Sequence, residues 1–172
     1  MIRSLAVFLA LSLAGPALGQ EAAASPAPDG TGTSASAAVD PVSAWEADPS
    51  AVLPAEGVDL RDFQYLARPF VIFADSPRQP QVLEQLRLIE AELGTLADRD
   101  VVVILDTDPE ARSEVRQELR PRGFALVLLD KDGRVTLRRP APLSVREIAR
   151  AIDRTPLRQE ELRNGRTAAP TN

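Results

Sequence analysis

The sequence predicts an α/β fold, one central sheet with helices on both faces. Three observations carry that prediction. The runs 70–74 (Phe-Val-Ile-Phe-Ala), 101–105 (Val-Val-Val-Ile-Leu) and 124–129 (Phe-Ala-Leu-Val-Leu-Leu) hold no polar residue, as expected of strands covered on both faces. An amphipathic stretch, 81–97, separates the first two runs, which makes a βαβ unit with parallel strands and a right-handed crossover. Asp130-Lys131-Asp132-Gly133 follows the third, and Asp-Gly between apolar segments signals a hairpin, because its turn needs a positive φ that glycine adopts without strain.

In chain order, residues 45–54 place Trp45, Val52 and Leu53 among acids and prolines. They read as a loop or short edge strand over the core, with Trp45 as a lid. Leu60, Phe63 and Leu66 have helical spacing, so a short helix is expected at 59–66; Arg68-Pro69 ends it. Strand 70–74 runs into a polar turn, 75–80. Helix 81–97 then carries Val82, Leu86, Ile89, Leu93 and Leu96 on one stripe.

After strand 101–105, Thr107 and Glu110 have capping-box spacing with Pro109 in the first turn. A helix is expected from there, burying Ala111, Val115 and Leu119 and stopping at Arg120-Pro121. Strand 124–129 and a half-exposed edge strand, 134–138, flank the Asp-Gly turn, with Val135 and Leu137 inward. Pro140 and Pro142 close that edge. Ser144 and Glu147 form a second capping box, opening a helix with Ile148, Ala149 and Ile152 on its stripe. Thr155-Pro156 starts the last helix, which Gly165 is expected to stop.

The ends differ from this middle. Residues 1–19 read as a secretory signal: Arg3, an apolar run at 5–13 too short to span a bilayer, breakers Gly15 and Pro16, and small residues before an expected cleavage at Gln20. Residues 20–44 are an Ala/Ser/Pro/Gly-rich linker expected to be disordered, and 165–172 a disordered tail. The folded domain is therefore expected at 45–164, in a periplasmic or secreted protein with no stable membrane anchor after cleavage.

The order βαβ unit, helix, β-hairpin, C-terminal helix is the thioredoxin-like topology. In that fold the turn at 75–80 is where redox chemistry sits. Yet the 172 residues include no Cys and no His. That excludes thiol redox chemistry, disulfides, thiolate or imidazole metal sites and every Ser-His or Cys-His nucleophile pair. No cofactor is expected. A net charge of −5 argues against nucleic acid as a partner. Of 20 cationic residues only Lys131 is a lysine, and the arginines are scattered along the sequence, which fits a coding bias better than a phosphate-binding stripe.

From about Asp59 to Glu161 the chain resembles the thioredoxin-like DUDES domain family, a domain of unknown function found in secreted bacterial proteins and in animal extracellular proteins such as Equarin and sushi-repeat proteins. The resemblance rests on Arg68 before the first buried run, on Arg99-Asp100 before the second, on Lys131-Asp132-Gly133 with Leu137-Arg138, and on Ile152-Asp153 through Pro156-Leu157-Arg158 to Glu160. It implies a thioredoxin-like fold outside the cytoplasm and no established activity. The arginines of these motifs, Arg68, Arg99, Arg138 and Arg158, are expected to form structural ion pairs with Asp100, Asp132, Asp153 and Glu160.

Three functional readings follow. The first is a non-catalytic binding or scaffold module whose partner is an extracytoplasmic protein or envelope component. The second is a cysteine-free enzyme using Asp75 and Ser76. Ser76 is a poor nucleophile without a base, and reads better as a turn residue. The third is an anion binder at the turn, where free N–H groups of a helix start would act with Ser76, Arg78, Gln79 and Lys131.

Overall fold

The computed structural model describes residues 40–168, and side chains as far as Gly165. The signal at 1–19, the linker as far as residue 39 and residues 169–172 lie outside the described residues.

The strands are β1 (Val52–Pro54), β2 (Arg68–Phe73), β3 (Val101–Asp106), β4 (Ala125–Leu129) and β5 (Val135–Arg139), and they form one sheet in the order β1-β3-β2-β4-β5. β2 is central, parallel to β3 and antiparallel to β4, while β1 runs parallel to β3 and β5 antiparallel to β4. A parallel βαβ unit joined through a helix to an antiparallel hairpin is the thioredoxin-like fold, as the sequence predicts.

Alternation along β2 builds two cores. Phe70 and Ile72 pack on one face with Val82, Ile89, Leu96, Ile148 and Ile152, from α2 (Pro80–Glu90), α3 (Leu93–Ala97) and α5 (Val145–Asp153). Val71 and Phe73 pack on the other with Phe63, Val115 and Leu119, the last two from α4 (Glu114–Leu119). All six residues of β2 are buried. Pro69 is tolerated at its second position because the strand begins there, where a missing N–H costs little of the ladder.

Several boundaries differ from expectation. A helix, α1 (Pro41–Ala47), occupies part of the expected linker and loop; Asp40 caps it by accepting from the Ser43 N–H at 2.9 Å, and Pro41 opens it. Trp45 on this helix packs edge-on against Phe63, ring centroids 6.4 Å apart, in the lid position expected of it. The 59–66 helix shortens to a single 3₁₀ turn, Leu60–Phe63, because Tyr65 takes a left-handed φ of 63°, which leaves Leu66 exposed. The 81–97 helix breaks into α2 and α3 at Ala91 and Glu92.

The capping box at Thr107 does not open a helix. Asp108 instead accepts from the N–H groups of Glu110 and Ala111 at 2.9 and 3.3 Å, a local turn that competes with the helix. Ser113 caps α4 in its place, and Ala111 stays exposed. Val135 is exposed rather than inward, at a register shift opposite Leu128 and Leu129. The Ser144–Glu147 capping box forms in full. The last helix, α6 (Pro156–Ala168), continues through Gly165, since glycine weakens a helix but stops it only where the backbone takes a positive φ.

Candidate functional site

β2 ends at Phe73, and Ala74 carries the chain into the turn 75–80. The turn is closed on itself. The Asp75 N–H donates to Gln79 Oε1 at 3.3 Å, the Arg78 N–H to Ser76 Oγ at 3.3 Å, and the Gln79 N–H to the Ser76 carbonyl at 3.2 Å. Pro80 has no N–H, and the N–H groups of Val82 and Leu83 both go to the Gln79 carbonyl, at 2.9 and 3.3 Å. Five donors on which the anion reading relies, the N–H groups of Asp75, Arg78, Gln79, Val82 and Leu83, are thus taken within the turn and the first helical turn. Lys131 is not among its neighbours: β2 and β4 are antiparallel, with Phe70 opposite Leu128, so Lys131 lies at the other end of the sheet.

Beside the turn, β3 ends at Asp106, a buried carboxylate one residue beyond the apolar run 101–105. Arg116 donates to its Oδ1 from Nε at 3.0 Å and from Nη2 at 2.7 Å, and Ser113 Oγ donates to Oδ2 at 2.6 Å. The same guanidinium reaches the Ala74 carbonyl at 2.9 Å and lies 5.4 Å from the centre of the Phe73 ring. A cleft of about 470 Å³ opens here, at the C-terminal ends of β1 and β3, lined by Ala55, Asp106, Ser113 and Gln117 among others. Open α/β sheets bind ligands at such strand ends. Arg116 and Ser113 together hold both Asp106 oxygens, so this carboxylate is a brace for α4, and the Ser113 hydroxyl serves as its cap.

The opposite end holds the family-motif residues. Arg68 has no exposed surface. It donates from Nε to Asp130 at 2.8 Å, from Nη2 to Glu161 at 2.9 Å and from Nη1 to the Arg99 carbonyl at 3.0 Å. Lys131 bridges Asp100 and Glu161 at 2.8 and 3.1 Å. Arg99 forks onto both oxygens of Asp153 at 2.9 and 3.0 Å, and Arg158 reaches Glu161 at 3.1 Å and the Asp98 carbonyl at 3.0 Å. The network ties β2, the β4–β5 turn, α5 and α6 together.

Some expected pairs form and others do not. Arg99–Asp153 is bidentate, whereas Arg68–Asp100 and Arg158–Asp153 are only 4.0 and 3.9 Å contacts. Arg138 bonds the Leu119 carbonyl at 3.0 Å rather than a carboxylate, Asp132 faces Arg134, and Glu160 faces Arg163. Gly133 takes φ 81° in the hairpin turn, and Pro156 opens α6. The main acceptors of Arg68 are Asp130 and Glu161, neither of which was among the carboxylates expected to pair with the motif arginines.

Glu161 has a titration consequence. Burial pushes its pKa up, but hydrogen bonds from Arg68, Arg158 and Lys131 outweigh burial and hold it below the ordinary value of 4.5. A depressed carboxyl pKa contributes stability that is whole above the unfolded value and is lost as pH falls through the folded one. Glu161→Gln is therefore expected to flatten the fall in stability below about pH 4.5, read as denaturant midpoints from pH 6 to pH 3. An acid limb as steep as that of the unaltered chain would remove Glu161 from this account.

Among the described residues no helix is long and apolar enough to cross a membrane. No curated protein matches the chain. Among solved structures it is similar to the reduced 2-Cys peroxiredoxin of Plasmodium vivax, at 16% identity over 60% of this chain and 85% of that one, with a TM-score of 0.48. It is also similar to chloroplastic thioredoxin z (21% identity, 59% and 90% covered, TM-score 0.46) and to the reduced form of desulfothioredoxin from Desulfovibrio vulgaris Hildenborough (22%, 58% and 93%, TM-score 0.41). The family model described as "Domain of unknown function (DUF4174)" matches residues 59–161, a stretch that contains both the closed turn and the Arg68 network, and the chain belongs to that family.

Proposed function

We propose that this domain is a thiol-independent binding module that works outside the cytoplasm, with an extracytoplasmic protein or envelope component as its partner. The observation that carries the reading is the condition of the strand ends. The turn that would present a reactive group is closed by its own hydrogen bonds, and Asp106 beside it is held by Arg116 and Ser113. The sequence has no Cys to supply a thiol and no His to serve as base, and the Asp106 carboxylate that Ser113 meets is held by the Arg116 guanidinium. The features of residues 1–19 support the compartment. The family match covers the stretch on which the DUDES resemblance rests, which supports that narrower assignment.

The test is to express the full chain in a secreting bacterium and crosslink it in intact cells. The expected result is a form processed before Gln20 in the extracytoplasmic fraction, bound saturably to one partner, while the purified chain turns over neither peroxide, disulfide nor ester. Retention in the cytoplasm, or a turnover abolished by Ser76→Ala or Ser113→Ala, would overturn it.

A further inference from the structure

The fold gathers arginines that the sequence scatters. From Arg120 to Arg154 stand eight arginines and one lysine against four acids, a local charge of +5 within a chain of −5. Lys131, Asp130 and Asp153 belong to the Arg68 network. Among the described residues, Arg120, Arg122, Arg138, Arg139, Arg150 and Arg154 have no carboxylate within ion-pairing distance. One acid, Glu147, lines a hollow with Arg139, Arg150 and Arg154, and its carboxylate is bonded into the Ser144 capping box.

These six arginines line two hollows that flank β5 and share Arg139. One, of about 420 Å³, is formed by Arg120, Arg122 and Arg138 with Phe124 and Pro140. The other, of about 220 Å³, is formed by Arg150 and Arg154 with Leu137 and Leu143. They lie on opposite sides of the strand. Leu137 packs toward α5, and Arg138 turns toward the end of α4, where it bonds Leu119. Arg120 itself ends α4 in a left-handed conformation, φ 44°.

β5 is also the outer strand of the sheet; Pro140 and Pro142, expected to close its far edge, stand beyond its last residue, Arg139, and no described strand pairs that edge. The opposite edge, β1, is only three residues long and ends in proline. Edge charges commonly serve to repel other strands. Cations exclude a cationic strand by repulsion and a neutral one by the cost of their own desolvation, whereas an anionic strand pairs with them on both sides of β5, where the Arg138 carbonyl now accepts from Arg139 Nη1 at 3.2 Å.

We infer that β5 accepts an acidic, extended peptide segment as a sixth strand. This assignment rests on the binding-module reading and names its partner class and site. A small anion fills one hollow and leaves the other empty. A flat anionic surface meets one face of the strand. A β-strand sends successive side chains to opposite faces, so alternating carboxylates on an added strand reach Arg138 and Arg122 on one side and Arg139, Arg150 and Arg154 on the other. Main-chain hydrogen bonds supply the affinity, and the arginines select acid and set the register.

The test is fluorescence anisotropy of the full chain with a labelled twelve-residue peptide alternating glutamate and valine. Comparators are the same peptide N-methylated at alternate residues on its pairing edge, a lysine-valine peptide, a heparin fragment and vesicles of anionic lipid. Saturable binding of the acidic peptide is expected, weakened about ten-fold or more by N-methylation and by Arg139→Glu with Arg150→Glu. Arg61→Glu, beside Asp132 and Gly133 at the other end of the sheet, should leave it unchanged, and unaltered melting of the exposed-site variants confirms that they fold. Equal binding of the N-methylated peptide, or tighter binding of heparin or vesicles, overturns strand addition. No peptide binding, with a partner still crosslinked in cells, removes the β5 site while the binding-module reading stands.

Discussion

Arg68→Met is expected to lower the unfolding free energy by about 3–5 kcal/mol in urea titrations. For a domain of this length, that corresponds to a fall in Tm of about 10–20 °C. Methionine fills much of the space of the arginine stem, so the loss comes from the polar groups left behind. Asp130 has 7% of its side chain exposed and takes its ion pair from Arg68. Without the guanidinium it is a buried charge with no counterion, and the Arg99 carbonyl loses a donor. Glu161 is better placed, since Lys131 and Arg158 remain beside it.

Two further variants separate charge from shape. Arg68→Lys restores the cation but not a planar fork that serves Asp130, Glu161 and a carbonyl at once, so it should recover only part of the loss. Asp130→Asn added to Arg68→Met should cost less than the two singles combined, with a coupling of about 1–3 kcal/mol. A loss below about 1 kcal/mol for Arg68→Met would mean that water replaces the guanidinium, and that the network does not hold α6 and the hairpin to β2.

The strands were legible because they are covered on both faces, and a run such as Val-Val-Val-Ile-Leu has no other economical reading. The capping box at Ser144 was legible because its chemistry is local. What escaped the sequence was decided by competition or by distance. Thr107 and Glu110 have the same spacing as Ser144 and Glu147, but Asp108 between them takes the first N–H groups for itself. The break at Ala91 and Glu92 interrupts a stripe whose steps continue unbroken across it. Gln85 looks like a surface residue next to Val82; it is buried and clamps the Leu143 backbone through both its amide atoms, 58 positions away. The partners of Arg68 stand 62 and 93 residues along, in a turn and near a chain end where periodicity says nothing. The arginine surface was missed for the same reason. It is built from the end of α4, from β5 and from α5, three segments that only the folded sheet makes neighbours.

Phe73→Ala is expected to cost about 3–5 kcal/mol, comparable to the loss of Arg68 but by a different route. Phe73 is fully buried at the end of the central strand, opposite Asp106 in β3 and Ala125 in β4. Truncation leaves a cavity in the α4 core, and close-packed neighbours relax into it only partly. The ring also carries the Arg116 guanidinium, which in turn holds Asp106 and the Ala74 carbonyl. Phe73→Leu keeps most of the volume and removes the aromatic face, so it should cost no more than about 1.5 kcal/mol if cavity formation dominates. A cycle of Phe73→Leu with Arg116→Met reads the cation–π contact, expected at about 0.5–1 kcal/mol. Leucine as damaging as alanine would reverse the order of the two effects. The strand end would then depend on the ring's hold on Arg116 more than on its bulk, and the brace around Asp106, rather than the core beneath it, would fix where β2 ends and the closed turn begins.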